Sequence, residues 1–205
     1  MSVEIFVGDP GQIGPQDPPY LPQVVFPSGM RLDLVPAAEL TVTYPTPAGN
    51  PFGSGFTGHY ERVGFFIDLD RAPVGERISE NFRLSEFVAP TLERGGRLAY
   101  VDAQMAQHVQ TIRSGLGRPL ILTSAFRSPI HNQSAGGATF SRHIYGDAVD
   151  IDVDQSRSDA EVRAQEIFNE ALDAGVDFVL PLSETSVTVN GVSRVSWVHL
   201  DDRGF

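Results

Sequence analysis

The sequence contains no cysteine, and its basic residues are few. The first absence excludes a disulfide framework, thiolate chemistry and cysteine-ligated zinc. Fifteen basic residues against 26 acidic ones give a formal net charge of -11. We expect no nucleic-acid partner, because no basic stripe is present to replace the counterions of phosphate groups. No apolar run is long enough for a membrane span, so none is predicted.

The composition is typical of a soluble globular protein, with 205 residues, of which 41% are hydrophobic and 20% are charged. This length accommodates one sizeable core, or a catalytic domain with a smaller companion. The first residues, MSVEIFVGDPGQ, lack a basic stretch followed by an apolar core. No secretory signal is therefore predicted in them.

Residues 1–80 consist of short runs rich in β-branched and aromatic residues, separated by proline and glycine. Such runs predict strands, here at residues 3–7, 23–26, 30–35, 39–44 and 62–69. The pattern indicates a β-rich module of unknown role, arranged as a small sandwich or meander. An irregular wrap around the following domain is the alternative.

Residues 81–205 have the pattern of an α+β domain. One helix is predicted over about 102–116, and a second from Ser158 or Asp159 to about residue 174. The inner face of the second helix is predicted to carry Val162, Ile167, Phe168, Ala171 and Leu172.

Four further stretches predict strands of an antiparallel sheet, at residues 119–126, 147–153, 176–182 and 185–201. The last of them folds back at Asn190 and Gly191, because Asn-Gly is the favoured two-residue hairpin turn. Residues 128–146 are predicted as a long loop of small residues, the kind of segment that carries functional groups on a scaffold.

Three potential metal ligands stand in this second part: His143, Asp150 and His199. A catalytic zinc site takes three nitrogen or oxygen ligands and keeps one position open for water. Gly146 lets the chain turn tightly between His143 and the strand that presents Asp150. His199 lies on the last strand, and Asp201 follows on the same face, where it could orient the imidazole. The alternative is a surface turn that enters an ordinary strand.

A calcium loop is a rival interpretation of the acidic run that starts at Asp150. Acidic residues occupy positions one, three, five and twelve of the loop template, namely Asp150, Asp152, Asp154 and Glu161. Gln155, however, stands where the template requires glycine, and no helix is predicted to enter the loop.

The second part of the chain contains three distinctive stretches, TSAFRSPIHN, GGATFSRHIYGDAVDI and WVHLD. Together they resemble the D-Ala-D-Ala carboxypeptidase-like zinc peptidases, which share their fold with the hedgehog signalling domain. The resemblance extends from about residue 85 to the end of the chain. It implies an α+β fold of the hedgehog/D-Ala-D-Ala peptidase type, with an antiparallel sheet and two main helices. In this interpretation residues 1–80 form the preceding β-rich module and 81–205 the zinc peptidase-like domain.

The resemblance also implies a role for each matching residue. His143, Asp150 and His199 would bind Zn²⁺. Arg127 would hold the scissile carbonyl oxygen and stabilise the negative charge that develops on it, a task suited to a fixed positive charge. Ser141 would contact the substrate beside the metal.

One position departs from the pattern of this family. Many members place an acidic general base three positions before the last histidine, where this chain has Ser196. A serine cannot accept a proton near neutral pH, so the base would come from elsewhere or be absent. Glu184, Asp201 and Asp152 are acidic candidates, and their spacing selects none of them.

The sequence therefore predicts a zinc metallopeptidase of carboxypeptidase or endopeptidase type. The resemblance implies that it cuts peptidoglycan stem peptides next to D-amino acids, in a periplasmic or extracellular location. The alternative is a catalytically silent zinc-binding domain that recognises cell-wall peptides or a protein partner. A calcium-stabilised structural protein is the third hypothesis.

Overall fold

A computed structural model describes residues 21–37, 43–189 and 191–204. Over these residues the fold combines α-helices with antiparallel sheets, as the sequence predicts. No helix in this part of the chain has the length and apolar character needed to cross a bilayer. The predicted strand at 3–7, and most of the one at 39–44, lie outside the described residues. The specific hedgehog/D-Ala-D-Ala peptidase arrangement stays a prediction.

The first sheet takes most of its strands from the N-terminal part of the chain. Its strands pair antiparallel in the order β1 (Gln23–Val25), β2 (Arg31–Pro36), β3 (Phe65–Asp68) and β4 (Leu98–Ala99). Alternation along β2 buries Leu32 and Leu34 on one face of the sheet. Between β2 and β3 the chain forms two 3₁₀ turns, Pro47–Gly49 and Ser54–Tyr60.

The second sheet carries two of the three predicted ligands, Asp150 and His199. Its antiparallel strands follow the order β5 (Leu122–Ser124), β6 (Ala148–Asp152), β10 (Trp197–Asp201) and β7 (Phe178–Val179). The predicted hairpin is formed by β8 (Ser186–Val189) and β9 (Val192–Val195), whose last pair is Val189 with Val192. Ser196 separates β9 from β10, so the stretch predicted as one long strand is divided at this residue.

The described residues contain four α-helices: α1 (Leu84–Glu93), α2 (Ala103–Leu116), α3 (Pro129–Ser134) and α4 (Ala160–Asp173). The two predicted helices are α2 and α4. Helix α2 begins where the Asp102 side chain accepts a hydrogen bond from the Gln104 backbone N–H, at 2.6 Å. It ends at Gly117, whose φ of 61° stops the helix. The sequence analysis misses α1 and α3, and α3 lies inside the predicted loop, where Ser128 caps it.

Helix α4 packs against α2, and its buried face matches the predicted face in part. Its buried residues are Ala160, Ala164, Ile167 and Ala171. Val162 and Leu172, predicted to point inward, are 61% and 52% exposed. The two helices approach closely. A Cβ added at Gly115 of α2 would clash with the Glu170 carboxylate of α4. The prediction is therefore right at Ile167 and Ala171, which are buried, and at Phe168, which packs against the core, but wrong at Val162 and Leu172.

One hydrophobic core is shared by residues on both sides of position 80. It includes Leu34 and Ile67 of the first sheet together with Val149 and Leu200 of the second. Strand β4, which completes the first sheet, also comes from beyond residue 80. The boundary near residue 80 thus does not divide the core, and the division into 1–80 and 81–205 stays a prediction about independent folding units.

Candidate metal centre

The pairing of β6 with β10 brings two of the predicted ligands together. Asp150 and His199 are directly opposite each other in the antiparallel register. Opposed residues of such a pair project from the same face of a sheet. The Nδ1 atom of His199 lies 2.7 Å from Oδ1 of Asp150. The local alternation of each strand and their register therefore suffice to place this pair.

The third predicted ligand, His143, is presented by the 3₁₀ turn Arg142–Tyr145 just before β6. Gly146 ends this turn with φ of 78°, and a Cβ there would lie 2.6 Å from the Tyr100 carbonyl oxygen. Only glycine fits both the conformation and the space. The Nδ1–H of His143 donates to the Ala125 carbonyl oxygen at 2.7 Å, and its Nε2 lies 3.2 Å from Asp150 Oδ2. The backbone carbonyl thus fixes which ring nitrogen faces Asp150.

The orientation of His199 is fixed by a second acidic residue on β10. The Nε2 of His199 lies 3.1 Å from Oδ2 of Asp201, whose side chain is fully buried. Asp201 is also paired through both its oxygens with the Arg203 guanidinium. This pairing keeps Asp201 ionised, so that it accepts the Nε2 proton and leaves Nδ1 facing Asp150.

The three predicted ligands form one cluster. A ligand atom from each of His143, Asp150 and His199 lies within 4.8 Å of the others. Each imidazole has one nitrogen bonded to an oxygen outside the cluster and the other directed into it. Two such nitrogens and one carboxylate match the donor set that zinc takes in open catalytic sites. The residues present therefore fit a metal ion, and the cluster is compatible with a metal site.

The electrostatics of the cluster favour a cation. Burial acts to raise the pKa of Asp150, but hydrogen bonds from His143 and His199 outweigh it and hold that pKa well below its usual range. Burial likewise acts to lower the pKa of His199, yet the hydrogen bonds to Asp150 and Asp201 raise it to about 9. Without a metal ion, His199 is therefore protonated, and its positively charged imidazole lies beside the Asp150 carboxylate.

Arg127 lies beside the cluster, as the resemblance implies. Its Nη2 is 3.2 Å from Oδ2 of Asp150, and its Nε donates to Ser124 Oγ at 2.7 Å. Ser141 immediately precedes the turn that carries His143, and its backbone N–H bonds the Ala138 carbonyl. The catalytic role of Arg127 and the substrate contact of Ser141 stay predictions.

The acidic candidates for a general base occupy different environments. Asp201 is fully buried and committed to Arg203 and His199, which suits an orienting role. Asp152 is on the same face of β6 as Asp150, and Glu184 is exposed on a 3₁₀ turn. The Ser196 backbone N–H donates to the Thr185 carbonyl, and the Ser196 carbonyl accepts from the Val153 N–H.

The calcium-loop interpretation fails on the placement of its last ligand. Glu161 lies in α4, where its Oε1 accepts a hydrogen bond from the Val195 backbone N–H at 2.9 Å. Asp150, the first position of the template, instead faces the two histidines. The acidic run therefore belongs to a strand and a helix that serve different contacts.

Residues 80–177 match a protein-family model described as Peptidase M15. This part of the chain is similar to the M15 peptidase family. The resemblance to the zinc D-Ala-D-Ala carboxypeptidase-like peptidases is thereby confirmed. No curated protein matches the chain.

The M15 match includes His143 and Asp150 but ends before His199. His199 joins the cluster through the β6–β10 pairing. Two supports of the site are not predicted from the sequence, the Ala125 carbonyl and Arg203. The position of Arg203 could have been noticed in the sequence, because residues two apart on a strand project to the same face and Arg203 stands two residues after Asp201. Nothing local indicates the Ala125 contact.

Proposed function

We propose that this chain, similar to the M15 peptidases over residues 80–177, is a zinc metallopeptidase that hydrolyses amide bonds next to D-amino acids in peptidoglycan stem peptides. The observation that carries the proposal is the convergence of His143, Asp150 and His199 on one point. The family match supports peptide hydrolysis as the activity. Donor chemistry supports zinc, because two imidazoles and a carboxylate suit this ion and leave it an open coordination position.

Zinc bound there would supply a Lewis acid that polarises the scissile carbonyl and lowers the pKa of water. The chain's own residues would do the remaining work. Arg127 is 20% exposed and held by Ser124, so its guanidinium has little freedom to turn away. It would donate to the carbonyl oxygen as negative charge develops there. Ser141, at the start of the His143 turn, would bind the peptide beside the metal.

The proposed substrate implies where the protein acts. Stem peptides lie outside the cytoplasmic membrane, so the protein would act in the periplasm or outside the cell. Carboxypeptidase and endopeptidase action are both open to this site. The first releases a free terminal D-amino acid, whereas the second releases two peptide fragments.

A catalytically silent zinc-binding domain is the second candidate function, and Ser196 is the observation that favours it. Where many relatives carry an acid, this serine cannot take a proton from water. Such a domain would keep the metal and bind cell-wall peptides or a protein partner without cutting them.

Digestion of purified stem peptides by the zinc-reconstituted full chain tests the proposal. Mass spectrometry should detect cleavage beside a D-amino acid, and chelation should abolish it. Arg127→Ala should lower kcat by about a hundredfold or more, as loss of a donor to the oxyanion does. Arg127→Lys is the matched control that keeps the charge but not the planar fork of donors. Zinc binding with no cleavage of any stem peptide would instead support the silent domain.

A further inference from the structure

The segment Tyr44–Tyr60 lies against the turn that presents His143. The Tyr44 hydroxyl donates to the Ile144 carbonyl oxygen at 2.9 Å, one residue after this histidine. On the other side, Arg142 donates from Nη1 to the His59 carbonyl oxygen at 2.5 Å. The two chain neighbours of His143 are therefore both bonded to the N-terminal segment.

Arg142 is enclosed by groups that hold its direction. Its guanidinium lies 5.2 Å from the ring centre of Tyr60 and 4.6 Å from that of Tyr145, and it is ion-paired with Asp147. Only 7% of this arginine is exposed. A planar cation stacked on aromatic rings and paired with a carboxylate has few alternative positions. Arg142 thus anchors the turn that carries His143.

The same segment also reaches the support of the other histidine. The guanidinium of Arg203 lies 3.7 Å from the ring centre of Phe178 and 5.5 Å from that of Phe52. This arginine pairs with Asp201, which bonds to His199. A chain of contacts therefore runs from the N-terminal segment through one arginine and one carboxylate to a ligand.

We propose that Tyr44–Tyr60 positions both histidines of the metal site, acting through Arg142 and Arg203. The two arginines are positioning residues, since each acts on a histidine through another group. Groups that orient metal ligands in this way typically change metal affinity by about 10–100-fold when removed. The inference rests on the metal site of the proposed function but not on peptide hydrolysis. It gives the proline- and glycine-rich N-terminal part a role in the site.

Phe52 offers the mildest test, because it is 44% exposed and contributes little to the core. In the full chain, Phe52→Ala should weaken zinc affinity by about two- to fivefold, since one ring beside Arg203 is lost. Phe52→Tyr should bind zinc with wild-type affinity, because an aromatic ring remains beside Arg203. Phe65→Ala is the matched control, as Phe65 is 41% exposed on β3. Its zinc affinity should equal that of the wild type.

Arg203 offers the larger effect. Arg203→Ala should weaken zinc binding by about 10–100-fold, measured by competition with a chromophoric chelator. Arg97→Ala is its control, because Arg97 likewise pairs through Nε and Nη2 with a buried carboxylate, that of Asp68. Both variants leave a buried carboxylate, so both should lower the stability of the metal-free protein, whereas only the first should lose zinc affinity.

Wild-type zinc affinity in both Phe52→Ala and Arg203→Ala would overturn the inference, whatever the turnover. An equal loss of affinity in Phe52→Ala and Phe65→Ala would also overturn it, since the effect would then be one of general stability. Selective loss of zinc affinity in a protein that cleaves no stem peptide would support this inference while contradicting the proposed peptidase.

Discussion

Each histidine of the cluster has one ring nitrogen committed to an oxygen acceptor and the other facing Asp150. The acceptors differ: His143 uses the Ala125 carbonyl, and His199 uses the buried carboxylate of Asp201. The rings are therefore oriented before any ion binds, which lowers the cost of assembling the site. Asp150 and His199 can be predicted because alternation along two strands is local information, whereas His143, on a turn, is predicted from its spacing and from the family resemblance. The sequence does not predict the Ala125 contact, because that contact depends on how distant elements pack.

The peptidase proposal is tested most severely at Ser196, where many relatives have an acidic residue. Ser196→Glu should raise kcat/KM for a stem peptide about tenfold or more if a missing base limits the rate, since a general base typically contributes about 10²–10⁴-fold. Ser196→Gln has nearly the same size without the charge and should give no gain. Rates measured from pH 5 to 9 with both variants check this expectation. A glutamate variant slower than wild type would place the base elsewhere in the chain.

Helices show what local sequence can and cannot predict. Helix α2 carries its own start and stop, Asp102 and Gly117, and its bounds are predicted almost to the residue. Helix α3 is six residues long, too short for apolar periodicity to appear, and the sequence analysis misses it. The buried face of α4 includes Ile167 and Ala171, as predicted, but not Val162 and Leu172, which hydrophobicity alone places inside.

The turn that presents His143 depends on Gly146 for two separable reasons. Gly146→Ala should destabilise the protein through both its positive φ and its clash with Tyr100. Gly117 also has positive φ, but a Cβ added there would meet nothing within 4 Å, so Gly117→Ala should cost about 1 kcal/mol. The clash should add about 2 kcal/mol at Gly146. Urea unfolding of both variants measures the difference, and equal costs would show that Tyr100 moves aside freely.

An ion pair joins α2 to the end of β10, and it predicts a dependence of stability on pH. Burial acts to lower the pKa of His108, but the hydrogen bond to Asp202 at 3.0 Å and nearby carboxylates outweigh it and raise that pKa above 6.5. A raised pKa means that the folded state binds the proton more tightly than the unfolded state. The stabilisation is therefore fully present below pH 6.5 and is lost as pH rises through the folded-state pKa. Free energies of unfolding for wild type and His108→Gln should converge over that rise, and curves that stay parallel would contradict the assignment.

In the molecule as a whole, the N-terminal and C-terminal parts share one hydrophobic core. Arg142 and Arg203 of the C-terminal part also contact the N-terminal segment Tyr44–Tyr60. All fifteen basic residues of the chain are arginines, so every Arg–carboxylate pair has the planar geometry that allows two hydrogen bonds. The sequence pattern predicts the mixture of strands and helices but does not show that the two parts pack together. That result depends on contacts between residues far apart in the sequence, such as the ring pair Phe66 and Phe126.

The shared core leads to a prediction about fragments. Residues 81–205 alone would keep β4 without its partner β3 and would expose apolar side chains that face the first sheet. We expect this fragment to lack a cooperative thermal transition, because the lost burial removes more than the few kcal/mol by which a domain is stable. Calorimetry of the fragment and the full chain with zinc present makes the comparison. A fragment that melts sharply at the full chain's temperature would show that 81–205 is an independent domain.

His143, Asp150 and His199 are proposed to bind one metal ion together. The most direct test of this proposal is elemental analysis of the full chain after zinc reconstitution and removal of the excess. We predict about one zinc per chain in the wild type, and loss of that zinc in His143→Ala and in His199→Ala. His131→Ala, at a histidine of α3 outside the cluster, should retain it. A wild type without zinc, or cluster variants that hold as much zinc as the wild type, would contradict the account.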